Sequence, residues 1–293
     1  MAFGGNPEYN LDRISAEVEK EKTIKRAYNK ATEISNRDVI NLDEFDDIYK
    51  DVEKDQEHVN KLKDQWSEKQ KDMEEWMLES QKLGKVFEVL FYEQAELSNW
   101  LGENAYTYLT SDYDDIINKV DIVAEFIRED DAASFLGLAV DVTIGHNTEV
   151  ENKLKKIKKE IKNGELTKIK YFESENVGIR GELSNIPRVV IGVEKDTLLE
   201  MSKLWVDNKN ETLGEHSIRF QVLEEILFQL EAFQEYAKQE GQDKLADTYE
   251  KSFNFLEAIY NKQKDQFKDS DKRDSALTSI TESTKEVFGL SDS

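Results

Sequence analysis

The chain has 293 residues, 35% of them charged, and a formal net charge of −23 at pH 7. It contains no cysteine, which excludes a disulfide framework, a thiolate zinc site and a cysteine nucleophile. No apolar run approaches the ~20 residues of a membrane span, and MAFGGNPEYN at the N-terminus lacks the features of a secretion signal, so a cytoplasmic protein is expected.

Such an acidic chain is repelled by a polyanion unless its basic residues cluster. Only two prolines, Pro7 and Pro187, interrupt it, so long helices can run unbroken. The Glu-, Lys- and Ala-rich stretch 11–34 predicts a helix. Residues 36–47 predict a connector, with Asn41 or Asp43 as N-cap for the next helix. Residues 43–80 are the longest helical candidate. Val52, Val59, Trp66 and Met73 recur every seven positions, with Leu62 and Trp76 between them. The stripe fits either a helix packed on its own domain or a coiled-coil arm for a homodimer or protein partner.

At Gly84 the texture turns apolar, and 84–102 keeps helical spacing. Strand-like patches follow at 106–118, 120–126 and 135–144, then at 166–174 and 187–193. Between the third and fourth lies a helix, 149–164, with the stripe Val150, Leu154, Ile157 and Ile161 and an Asn163-Gly164 stop. Another helix is expected at 195–207, a helical hairpin around Gly241 at 214–267, and a flexible acidic tail at 268–293 that could hold a short helix. The expected organisation is an N-terminal helical arm (1–83), an α+β core (84–207), a C-terminal helical hairpin (208–267) and the tail.

The core acids form a pattern. Glu88 lies on the apolar helix and Asp114 and Asp115 in SDYDDIIN. Asp121 opens VDIVAEF, with Glu125 on the same strand face. Asp141 and Thr143 share a face of the next strand, FLGLAVDVTI. Carboxylates converging from adjacent strands build oxygen-ligand sites for Mg²⁺ or Mn²⁺, which can activate water and stabilise phosphate charge. Blander readings stand beside this one. Asp141 suits a structural ion pair, Asp114 and Asp115 suit turns, and Glu88 suits a solvent-facing helix position. Glu93, Glu96 and Glu103 read as surface acids. His58, His146 and His216 are far apart in sequence, and only His146 falls near these acids.

Through GKVFEVL, VDIVAEF and LAVDVTI, the chain resembles the PD-(D/E)XK nuclease superfamily over roughly residues 84–193. The resemblance implies a restriction-endonuclease-like core: a helix, a three-stranded meander, a helix and a further strand. It implies Mg²⁺- or Mn²⁺-dependent hydrolysis of DNA, with Glu88 as the helix acid, Asp121 and Asp141 as metal ligands, and the Val142 carbonyl as a third. The family places a lysine where this chain has Thr143, so either the cation has moved, to Lys153 or Lys170, or activity is lost or altered. SNWLG, YDDI, IKYF and IPRVVIGV are also similar to a group of uncharacterised microbial proteins, which brings no activity with it. The basic run 153–162 could use Lys155, Lys156 and Lys159 to track phosphates, or could pair with the chain's own acids. The competing expectation is a non-catalytic interaction protein that keeps this core as a scaffold.

Overall fold

The computed structural model describes residues 7–127, 133–143, 148–266 and 273–290, without the side chains of 7–14, 139–143 and 266. Helix α1 (Pro7–Asp38) starts on the proline, whose fixed φ and missing N–H suit a first turn. Its Ala27 and Ala31 are fully buried, so its backbone closes on α3 (Glu75–Leu97) and α5 (Lys195–Val206). Arg26 and Lys30 then donate to the carbonyls of Val206 and Trp205, the orphan acceptors at the end of α5.

The single long helix expected over 43–80 is two helices with a turn before them. Asn41 caps only a 3₁₀ turn, Leu42–Phe45, by accepting from the Asp43 N–H. Helix α2 (Val52–Gln70) follows and breaks before α3. The seven-residue stripe divides with it: Val52 and Val59 are buried, whereas Trp66 and Trp76 are 58% and 53% exposed. The sequence boundary at 83/84 falls inside α3, which runs through Gly84 without interruption.

From α3 the order is β1 (Ala105–Leu109), a π-helical turn (Asp114–Asn118), β2 (Ile122–Ile127), β3 (Ala133–Thr143) and α4 (Thr148–Lys162). The hairpin β4 (Thr167–Ser174) and β5 (Ile179–Ile186) precedes β6 (Arg188–Glu194). The main sheet has the order β1-β2-β3-β6. Its first three strands form an antiparallel meander, and β6 lies parallel to β3 beyond the α4 crossover. Ile122, Ala124, Phe126, Leu136 and Leu138 join the main core with α3. Val120 and Val123 pack with Ile169, Phe172, Leu183 and Ile186 of the hairpin. Strand β2 is therefore covered on both faces, which explains its near-continuous apolar run.

Helices α6 (Asn210–Gly214), α7 (Ile218–Gln239), α8 (Asp243–Gln263) and α9 (Ser275–Phe288) complete the chain. The expected hairpin is α7–α8. Within the expected tail, Ser275–Phe288 forms α9, the short helix that stretch could hold, and α9 buries Ala276, Ile280, Val287 and Phe288. It also closes an edge. Strand β6 has an outer row of backbone groups that needs partners. Gln229 of α7 accepts from the Val190 N–H at 2.8 Å and donates to its carbonyl at 2.6 Å. Glu225 accepts from the Gly192 N–H, and Asp274, the N-cap of α9, accepts from the Glu194 N–H. Three side chains thus stand where another strand's backbone would. No described helix is long and apolar enough to cross a membrane.

Candidate functional site

Asp121 sits at the entry to β2, its N–H donating to the Leu138 carbonyl at 3.0 Å and extending the β2–β3 ladder by one residue. The π-helical turn before it ends at Lys119 in the left-handed region, φ 63°, and brings Asp115 against Asp121, to which the Asp115 carboxyl hydrogen-bonds. Glu88 approaches from α3, one turn after Lys85, whose Nζ lies 2.7 Å from Glu88 Oε1. Burial pushes the Glu88 carboxyl up to about 7, opposed by Lys85 and reinforced by the negative charges of Asp121 and Asp112. Burial also raises Asp115 well above the carboxylate range, with Asp121 and Glu88 adding to the effect. Glu88 and Asp115 therefore hold protons more tightly than isolated carboxyls do.

The side chains of Asp141, Val142 and Thr143 lie outside the described residues. Their backbones pair with Gly192, Val193 and Glu194 of β6. His146 is also outside the described residues. Among the described residues, no group of three His, Cys, Asp or Glu side chains is arranged to hold a metal ion. Glu88, Asp115 and Asp121 are thus neighbouring acids rather than a finished cage.

Other candidates have structural employment. Asp114 is buried away from the trio. It accepts from Ser111 Oγ, Asn118 Nδ2 and the N–H groups of Lys170 and Tyr171, tying the π-helical turn to β4. Glu125 is fully buried and accepts from Tyr108, Ser174 and Asn176. Glu93 and Glu96 are not idle surface acids: they accept from Trp205 Nε1 and the Thr107 N–H.

Lys170 does not reach the trio. Its ammonium bonds Asp51 and Asp55 beside α2, 5.3 to 5.5 Å from the ring centres of Tyr49, Tyr113 and Tyr171. Burial works against its charge, but the two carboxylates hold it above the ordinary lysine range. Lys153 lies on α4. In the basic run, Lys155 pairs with Glu151 at 2.8 Å, and Lys158 donates to the Val287 carbonyl. Lys156 donates to the carbonyls of Ile117 and Asn118. Burial, then the charge of Arg188, pulls it down to about 8. Lys159 and Lys162 remain exposed. Much of the run thus serves the chain's own packing.

Lys85, Asp112 and the cleft beside Asp115 were not singled out by sequence reasoning. Lys85 had a legible signal, its position three before Glu88 on a helix. The cleft did not, because its walls come from separate elements. It encloses about 330 Å³ between Leu62, Lys63, Trp66, Ser67 and Gln70 of α2 and Asp112, Asp115 and Ile116. Lys63 bridges it by pairing with Asp112. A larger cavity of about 740 Å³, lined by residues such as Leu101, Phe126 and Ile259, contains none of the trio. The smaller cleft is the one that adjoins titratable groups with displaced pKa values. Comparison of the chain with protein-family models, with curated proteins and with solved structures returns no match.

Proposed function

We propose that the chain is a divalent-metal-dependent phosphodiester hydrolase acting on DNA, with a nuclease-like core made of α3, β1, β2, β3, α4 and β6. One observation carries this reading: Glu88, Asp115 and Asp121 meet within that helix–meander–helix–strand order. Oxygen donors whose negative charges crowd one another have the chemistry of a hard-cation site. Asp121 and Asp115, with Asp141 and the Val142 carbonyl as the family resemblance implies, would hold Mg²⁺ or Mn²⁺. When bound, the ion supplies Lewis acidity to a phosphate and lowers the pKa of water.

The chain's own groups have definable work. Glu88, held near neutrality, can accept or return a proton at physiological pH. Lys85 stands beside it as the cation that Thr143 does not provide, able to offset negative charge developing on phosphate oxygens. Lys170 has no such role, because Asp51 and Asp55 hold it elsewhere.

The test is cleavage of single- and double-stranded DNA with Mg²⁺ or Mn²⁺. Asp121→Ala, Asp141→Ala and Lys85→Met are each expected to reduce the rate at least about a hundredfold. Metal-dependent cleavage that survives Asp121→Ala would remove this mechanism. A second reading, a protein-binding scaffold, is favoured by the exposed Trp76 and Met77 on the first turn of α3. Absence of cleavage by the wild-type chain, together with a change of oligomeric state in Trp76→Ser, would select it.

A further inference from the structure

The cleft beside Asp115 combines features that the acids alone do not explain. Trp66 is 58% exposed although it lines the cavity, so its indole is available to a ligand. It projects from the same face of α2 as Leu62, Lys63 and Gln70, one helical turn from Leu62 and one from Gln70. The helix is held over the acids by Lys63 on Asp112, Lys170 on Asp51 and Asp55, and the Tyr171 hydroxyl on Asp55.

The cleft is too small for a duplex. Its volume of about 330 Å³ is at the small-molecule end of binding sites and matches one nucleotide. Its charge also argues against backbone tracking. The chain carries a net charge of −23, and Lys63, the lysine lining the cleft, is neutralised by Asp112. Affinity for a nucleic acid must then come mainly from a contact that needs no positive charge. Stacking of a base on an aromatic face is such a contact, and it is tolerant of sequence.

We infer that Trp66 is a stacking platform for one unpaired base, so that the substrate enters as a single strand or a frayed end. This rests on the hydrolase reading for what happens to the phosphate, but base binding itself can be measured without turnover. Trp66 is then a positioning residue that selects unpaired over paired nucleic acid.

The experiment measures binding of a labelled, cleavage-resistant phosphorothioate oligo(dT) and of a blunt duplex by fluorescence anisotropy, in Mg²⁺, to the full chain. Wild type is expected to bind the single strand about tenfold or more tightly than the duplex. Trp66→Ala should weaken single-strand binding by about tenfold, Trp66→Phe should restore most of it, and Tyr106→Ala, exposed but outside the cleft, should change nothing. Circular dichroism confirms that each variant is folded. Equal binding by wild type and Trp66→Ala, preference for the duplex, or no saturable binding by wild type overturns the inference. The two readings separate cleanly. Loss of binding in Trp66→Ala with cleavage indifferent to Asp121→Ala keeps the platform and removes the hydrolase mechanism. Cleavage abolished by Asp121→Ala, with KM unchanged in Trp66→Ala, does the reverse.

Discussion

Glu88→Gln tests the electrostatics of the acid trio without assuming any activity. The Glu88 carboxyl is raised from 4.5 to about 7. Its folded-state pKa therefore lies above its unfolded value, and the folded state holds the extra proton between them. Stability from this group is fully present below about 4.5 and is lost as pH rises through about 7. At ~1.4 kcal/mol per pKa unit, a charged Glu88 costs the wild type about 3 kcal/mol at pH 8. Gln cannot ionise, so the substitution removes that cost. It also weakens the Lys85 contact, a largely buried pair with side chains 30% and 15% exposed, at a cost of about 1 kcal/mol. The variant is thus expected to be more stable than wild type by about 2 kcal/mol at pH 8 and no more stable at pH 5. Urea unfolding followed by circular dichroism at the two pH values measures it. An equal difference between variant and wild type at both would refute the reasoning, since it would mean that Glu88 ionises in the folded chain as it does in the unfolded one.

Divalent metal provides a second readout of the same site: at pH 8, Mg²⁺ at about ten times its dissociation constant should stabilise wild type by about 1.4 kcal/mol and leave Asp121→Asn unmoved in a thermal melt. Gln229→Leu strips both edge partners from Val190 inside the core and should cost about 2–4 kcal/mol in urea unfolding. Glu225→Gln, in contrast, should cost less than about 1 kcal/mol at pH 7. Burial raises that carboxyl well above its usual range, so the native group is already a neutral acid. A large loss in Glu225→Gln would show that both carboxyl oxygens must accept, from the Gly192 N–H and from Gln221 Nε2. Lys170→Met should lower stability by about 1–3 kcal/mol, because it leaves Asp51 and Asp55 facing each other without a cation. If DNA cleavage occurs, its rate should be unchanged by this substitution, and a collapse in rate with stability intact would return Lys170 to the site.

The parts of the fold that were legible are those where one residue's neighbours in sequence decide its state. The α4 stripe Val150, Leu154, Ile157 and Ile161 is buried as its spacing predicts. β2 and β3 follow their apolar runs, and α7 and α8 meet around Gly241 as expected. The losses have a common cause in partners distant along the chain. Nothing in EKQKDMEEW obliges a helix to break, yet α2 turns away to reach Lys170 and Asp112 while α3 continues over the sheet. Strand β5 was missed because only Gly181, Leu183 and Ile186 face inward among polar residues. In the tail, Ser and Thr point to loose chain around a possible short helix, but in α9 even Ser283 and Thr284 are buried. At the site, Asp121 and Glu88 were legible as acids in apolar settings. Asp115 could not be separated from Asp114 by sequence, since adjacent carboxyls on one turn differ only in which way the turn aims them. Asp114 accepts from the Lys170 and Tyr171 N–H groups within β4, and Asp115 joins the trio.

The position of the positive charge sharpens the functional question. The nuclease resemblance implies a lysine at 143, approaching the acids from the sheet. The candidate replacement on the hairpin, Lys170, satisfies acids of α2, and Arg188 is spent on Glu160 and on the carbonyls of Asn118 and Lys119. Lys85 comes instead from the helix that carries Glu88. This arrangement has a consequence for pH that a strand lysine would not impose. Lys85 and Glu88 are three residues apart on one rigid helix, so the pair moves as a unit, and the ammonium acts first on the proton affinity of Glu88. Replacing Lys85 by Met should therefore raise the Glu88 pKa further above about 7 and carry the alkaline fall in stability to higher pH. A pH–stability curve for Lys85→Met that overlays wild type would mean that Lys85 is a surface cation near the acids, without influence on them.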